Sequence, residues 1–144
     1  MDARGQVVKA MAMIRRPRDG ALLVSEHVSP AGELFHRPLG GHVELGEYAR
    51  DTVQRELAEE IGQELTAARL AGVLENIFTW GDKTQHEVVF VFTAGFADPA
   101  AYEITEQRIR DEQDRVRVIW RPAGATSPPL YPHGVAGLAA QPGS

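Results

Sequence analysis

The 144-residue chain contains no cysteine. That excludes a disulfide framework and any thiolate metal site, and it fits a reducing compartment, so a cytoplasmic location is expected. A basic surplus is also missing: 15 Lys and Arg stand against 20 Asp and Glu, a formal net charge of -5. Gripping a nucleic-acid backbone draws on excess cations, so no stable nucleic-acid binding is expected, whereas small phosphorylated ligands remain open. Long apolar runs are absent as well. The opening MDARGQVVKAMAMIRR is interrupted by Lys9 and ended by two arginines, too short for a signal core or a bilayer span, and no membrane partner is expected. No internal repeat occurs, and compositional bias is confined to a Pro/Gly-rich tail from about residue 122.

What is present reads as one domain over residues 1–144, with 43% hydrophobic and 24% charged residues, near ordinary globular usage. Val7 to Ile14 and Ala21 to Val24 are short apolar runs separated by RRPRDG, whose turn chemistry predicts a β-hairpin. HVSPAGEL reads as a loop, and Leu34 to Leu39 as an extended piece leading into Gly40 and Gly41. Leu70 to Thr79 and Glu87 to Phe92 predict a long hairpin around WGDK, with the second strand central. An exposed edge of that second strand would permit a homodimer. A short edge strand is expected at Tyr102 to Ile104, a strand at Val116 to Trp120, and at best a weak helix from Gly134 to Ala140.

The informative stretch is Gly41 to Gln63, GHVELGEYARDTVQRELAEEIGQ. Ala49, Val53, Leu57 and Ile61 recur at i+4, which predicts a helix from Tyr48 to Ile61 with Gly62 as its C-cap. No Ser, Thr, Asp or Asn stands immediately before Tyr48, so the first turn must fray or be held by tertiary contacts. At about 100° per residue, Glu60 lies about 40° to one side of Glu56 and Glu59 about 60° to the other. Three acids on one arc repel, and a divalent cation with a taste for hard oxygen ligands, Mg²⁺ or Mn²⁺, would relieve them. The bland alternative is a solvated acidic face with an ordinary Arg55–Glu59 pair.

Gly41, five residues, Glu47, seven residues, then Arg55-Glu56-Leu57-Ala58-Glu59-Glu60-Ile61-Gly62 resembles the signature box of the Nudix hydrolases. Gln63 departs from it, standing where the family usually has an aliphatic residue. RPLGGHVELGE, VLENIFTW, HEVVFVF, VIW and LYPHGV look like successive blocks of a branch of small bacterial-type Nudix proteins, so the resemblance covers most of the chain. It implies an α/β fold, an α/β/α sandwich with a mixed β-sheet. The implied activity is Mg²⁺-dependent hydrolysis of a nucleoside diphosphate linked to another group, with Mn²⁺ as a possible substitute. Carried over by position, Glu56, Glu59 and Glu60 are similar to the metal-binding carboxylates, and Gly40 to the residue lending a backbone oxygen to the metal. Arg55 resembles the arginine that orients a carboxylate, and Glu47 the acid that braces the loop.

The general base is left open between Glu59, Glu87 and the loop acids Glu103, Glu106, Asp111, Glu112 and Asp114. Phe78 and Trp80 could stack on a base or cap the hairpin core, and Arg37 could meet a phosphate or sit solvated at a strand end. His86 reads as making a structural hydrogen bond; His27, His36, His42 and His133, without metal-ligand spacing, read as surface residues. ADP-ribose and coenzyme A marks are missing, so a nucleoside di- or triphosphate is the favoured substrate. A catalytically silent nucleotide-binding module is the alternative.

Overall fold

The computed structural model describes residues 6–111, 113 and 115–140. Its strands are β1 (Gln6–Met13), β2 (Leu22–Val28), β3 (Leu34–Arg37), β4 (Leu39–His42), β5 (Arg69–Trp80), β6 (Lys83–Thr93), β7 (Gln107–Arg108) and β8 (Arg117–Arg121). The helices are α1 (Ala49–Ile61) and α2 (Val135–Ala139), with a 3-10 turn at Pro99–Glu103. The strands divide between two four-stranded sheets, β4-β1-β6-β5 and β3-β2-β8-β7. The first is mixed, because β1 and β6 run parallel while β4 and β5 are antiparallel to their neighbours; the second is antiparallel throughout.

β1 explains this arrangement. Ala10 to Met13 are all buried, apolar on both faces, as a strand covered on two sides must be. Ala10, Ala12 and Ile14 share one core with Val53, Leu57 and Ile61 of α1. Met11 and Met13 share the other with Leu22, Val24, Val89, Val91 and Val135 of α2. Helix lies over each face of the mixed sheet, which is the expected sandwich. Burying the α1 stripe contributes roughly 1.5–3 kcal/mol of transfer free energy per side chain.

Several sequence expectations change. The RRPRDG turn closes as expected, through Arg16 N–H to Ala21 O and Leu23 N–H to Ile14 O. Yet β1 and β2 do not form a hairpin, because β4 and β6 occupy both edges of β1 while β3 and β8 occupy both edges of β2. The tight turn therefore joins two sheets. Tyr102 to Ile104 is not an edge strand: Asp98 accepts a hydrogen bond from Ala100 N–H at 3.0 Å and Pro99 follows it, a helix-start signal that overrides the short apolar run. The edge position is filled by β7 instead. The β5–β6 hairpin forms and β6 is internal, so the edge open to a second copy is β5, with exposed Leu70, Val73 and Ile77, and not the 87–92 strand. α2 is a short helix, as the tail suggested.

At its start α1 has Tyr48 as an N-cap without a side-chain bond. A local contact with the preceding loop holds that turn instead: the Thr52 hydroxyl donates to Glu47 at 2.8 Å. At its end Gly62 adopts a left-handed φ of 69°, and Gln63 N–H reaches back to Leu57 O. Gln63 thus serves through its backbone, which is why a polar side chain is accommodated there.

Candidate active site

β4 lays the glycine pair directly against β1, with Gly40 opposite Met11 and Gly41 opposite Ala10. A Cβ on Gly40 would collide with the Ala10 carbonyl, and one on Gly41 with the Glu56 carboxylate. The two glycines are required by close approach, and the second lets the Glu56 carboxylate lie on bare backbone.

Arg55 is the hub of the helix face. Its guanidinium donates to Glu47 from Nε at 2.8 Å and from Nη2 at 3.0 Å, to Glu56 and Glu59 from Nη1 at 3.1 Å each, and to the His42 carbonyl at 3.1 Å. Glu44 adds a further ion pair at 3.2 Å. These acceptors raise the Arg55 pKa. The same guanidinium, with the Thr52 hydroxyl and Glu44 N–H, holds the Glu47 carboxyl down to about 2.

The three acids on the helix arc are not equivalent. Glu59 is 57% exposed and turned toward Arg55. Glu56 is partly buried, and burial raises its pKa against the opposing pull of Arg55. Glu60 lies deepest: burial, reinforced by Glu56, pushes its carboxyl from 4.5 up to about 8, although Arg37 and the Gly40 N–H act the other way. Its Oε1 is enclosed and has no hydrogen-bond partner. An orphaned carboxylate oxygen in the field of a second acid is a place where a hard cation fits. Glu56 and Glu60, beside the Gly40–Gly41 backbone, are the groups that could hold one. Among the described residues no three acidic or histidine side chains converge as a ready-made cage, because Arg55 draws Glu59 outward.

The Glu60 environment carries a stability consequence. With its folded pKa raised, the metal-free protein retains a proton that the unfolded chain has released between about pH 4.5 and 8. Metal-free stability is therefore expected to fall as pH rises through that window, by on the order of a few kcal/mol. Chemical denaturation at pH 5, 6.5 and 8 with chelator present checks this. Glu60→Gln should flatten the profile, and an equally steep profile in the variant would refute the assignment.

Beyond Glu56 the surface opens into a cavity of about 230 Å³, lined by Lys9, Arg37, Gly40, Gly41 and His42 among others. Lys9, Met11 and Arg37 also line the adjoining cleft of about 730 Å³, which runs between the two sheets. Glu87, expected at the strand's start, does face this cleft, where it forms a 2.6 Å ion pair with Lys9, side chains 8% and 14% exposed. Arg37 is no solvated strand end: burial lowers its pKa, opposed by Glu87 and Glu60. Phe78 and Trp80 line the far part of the cleft. The Phe35 ring meets Trp80 at 6.0 Å and Tyr131 at 5.6 Å, bringing aromatics together from both sheets and the tail.

Lys9, Phe35 and Tyr131 were not singled out from the sequence. Alternation along β1 could have put Lys9 on the face of Met11; nothing local points to the other two. His36 is also corrected. It is 4% exposed, not a surface residue, and lies between Glu26 (Nε2 at 3.0 Å) and Arg121 (Nδ1 at 3.0 Å). Arg121 in turn donates to the Pro128 and Ala125 carbonyls, and His36 exchanges backbone bonds with Pro129 and Tyr131. That clamp seats the tail, and with it Tyr131 and His133, on the cleft wall. His86 makes the structural bond expected of it, with Glu75 at 3.0 Å. Of the loop acids, Glu103 pairs with Arg18 in the β1–β2 turn. Glu112 and Asp114 lie outside the described residues.

No described helix is long and apolar enough to cross a membrane. The sequence matches the NUDIX domain over residues 5–136. Among solved structures the chain is similar to a MutT NUDIX hydrolase from Burkholderia pseudomallei, at TM-score 0.65 and 24% identity over 93% of this chain and 95% of that one. An ADP-ribose pyrophosphatase from Streptococcus suis aligns at TM-score 0.59 and 16% identity, over 92% and 88% of the two chains. A NUDIX hydrolase from Nitrosomonas europaea aligns at 0.57 and 20%, over 81% and 72%. At these identities the likenesses speak for the fold alone, and no protein with a curated description matches. The domain match spans nearly the whole chain, and the glycine turn and acidic helix of the signature box stand together at the mouth of the cleft: the chain belongs to the Nudix hydrolase family.

Proposed function

We propose that the protein hydrolyses a phosphoanhydride bond in a nucleotide-type substrate, with a nucleoside di- or triphosphate favoured and Mg²⁺, or Mn²⁺ in its place, as the cofactor. The observation that carries this reading is the unpaired, enclosed Glu60 Oε1 in the field of Glu56, the acid that lines a cation-bearing cavity continuing into an aromatic cleft. Glu56 and Glu60 would hold the cation, with the Gly40 backbone beside them. When bound, it would withdraw charge from the phosphate and lower the pKa of a water.

The chain's own groups have separate tasks. Arg37 and Lys9 receive phosphate oxygens, and Glu87 restrains Lys9 on the cleft floor. Trp80, with Phe78 and Phe35 around it, offers ring faces to a base. Arg55 aims Glu56 and Glu59, and Glu47 anchors Arg55. Glu59, paired with Arg55 through one oxygen but 57% exposed, is more open to an attacking water than Glu87, which is enclosed and paired with Lys9.

A panel of nucleoside di- and triphosphates and ADP-ribose, each with Mg²⁺ and Mn²⁺, tests the reading. Metal-dependent release of a nucleoside monophosphate is expected. Nucleotide binding without release from any of them would leave a binding module instead.

A further inference from the structure

We propose that Asn76 and Gln85 read the nucleobase and set which nucleotide the cleft accepts; this rests on the nucleotide reading above. The β5–β6 register places Asn76 opposite Glu87 and Phe78 opposite Gln85. Residues facing each other in an antiparallel pair project to the same side, and all four line the cleft. The floor is therefore an ordered row. The Lys9–Glu87 pair and Arg37 stand at the end nearest Glu56 with Asn76 level with Glu87, Gln85 comes next, level with Phe78, and Trp80 closes the far end. Two residues of strand separate Glu87 from Gln85, roughly 7 Å.

Among the described residues neither carboxamide has a hydrogen bond, though both are half-buried within the cleft. Each offers N–H donors and a carbonyl acceptor. Phosphate oxygens accept but cannot donate, and aromatic faces recognise any base, so neither the cations nor the rings distinguish one base from another. Side chains presenting both donor and acceptor, Asn76 beside the Lys9–Glu87 pair and Gln85 beside Phe78, match the polar edge of a base. A site built around such hydrogen bonds rejects analogues that leave its polar groups unpaired.

Calorimetric titration of the full chain with ADP, GDP, CDP and UDP, without Mg²⁺ so that no turnover intervenes, tests this, with inorganic pyrophosphate as a probe lacking a base. The wild type should prefer one base by about tenfold or more, the scale of one well-made hydrogen bond. Asn76→Ala and Gln85→Ala should each reduce that preference while leaving pyrophosphate affinity unchanged, and Gln85→Glu, which exchanges donors for acceptors, should alter the ranking. Equal wild-type affinities, or preferences that survive all three variants, would overturn the proposal while leaving the hydrolase reading intact. Absence of any nucleotide binding would overturn the proposal, and only absence of turnover across the Mg²⁺ and Mn²⁺ panel would overturn the hydrolase reading as well.

Discussion

Glu56→Gln and Glu60→Gln are each expected to lower the rate of metal-dependent hydrolysis by about 10²–10⁴-fold while the chain remains folded. Glutamine has nearly the same shape and keeps an acceptor for the Gly40 N–H, but it cannot supply negative charge to a cation. At Glu60 the substitution also removes a carboxyl whose charged form is disfavoured by burial, so the metal-free variant should be at least as stable as the wild type at pH 8. That combination separates a chemical loss from an unfolding one. Initial rates together with thermal melts in chelator would show it, and full turnover in both variants would remove these residues from the metal site.

Arg55→Ala is expected to have the second largest effect, because it affects activity and stability together. Four carboxylates, those of Glu44, Glu47, Glu56 and Glu59, lose their shared counter-charge at once. Replacing the fork should cost about 1–3 kcal/mol in urea denaturation at pH 7. It should also reduce turnover by on the order of 10²-fold, since Glu56 is no longer aimed. Arg55→Lys should recover part of the stability and little of the rate: an ammonium is a point charge and cannot span Glu47 and Glu56 with fixed geometry. The acid limb provides an independent readout. Glu47 is held near 2 chiefly by Arg55, so in the wild type its contribution is present above about pH 4.5 and is lost as pH falls toward 2. In Arg55→Ala most of that contribution should be missing already at neutral pH, so the variant should lose less stability than the wild type between about pH 4.5 and 2. A variant with unaltered acid denaturation would show that the contacts around Arg55 are surface pairing alone.

Much of the helix face was legible in the chain because its geometry is local. Glu56, Glu59 and Glu60 share an arc for the same reason that Val53, Leu57 and Ile61 share a stripe: both follow from 3.6 residues per turn. The helix end at Gly62 and the β5–β6 hairpin are equally short-range. Local spacing did not reveal that the three acids have different environments. Arg55 draws Glu59 outward, while packing of α1 against β4 and β1 buries Glu60, so depth within the fold separates residues that the helical wheel makes alike.

The amino-acid order by itself determined the acidic helix, the glycine turn ahead of it and the hairpin that forms the cleft floor, since each depends on residues within a few turns or one tight loop of one another. Tertiary structure alone decided that the RRPRDG turn would divide two sheets, because strand edges are claimed by distant partners such as β4, β6 and β8. It likewise joined Lys9 to Glu87, put Phe35 against Trp80 and Tyr131, and buried His36 between Glu26 and Arg121. Those contacts link residues far apart in the chain, and no periodicity encodes them: they form when the apolar faces of β1 and α1 are buried and the remaining segments are brought to fixed positions around that core.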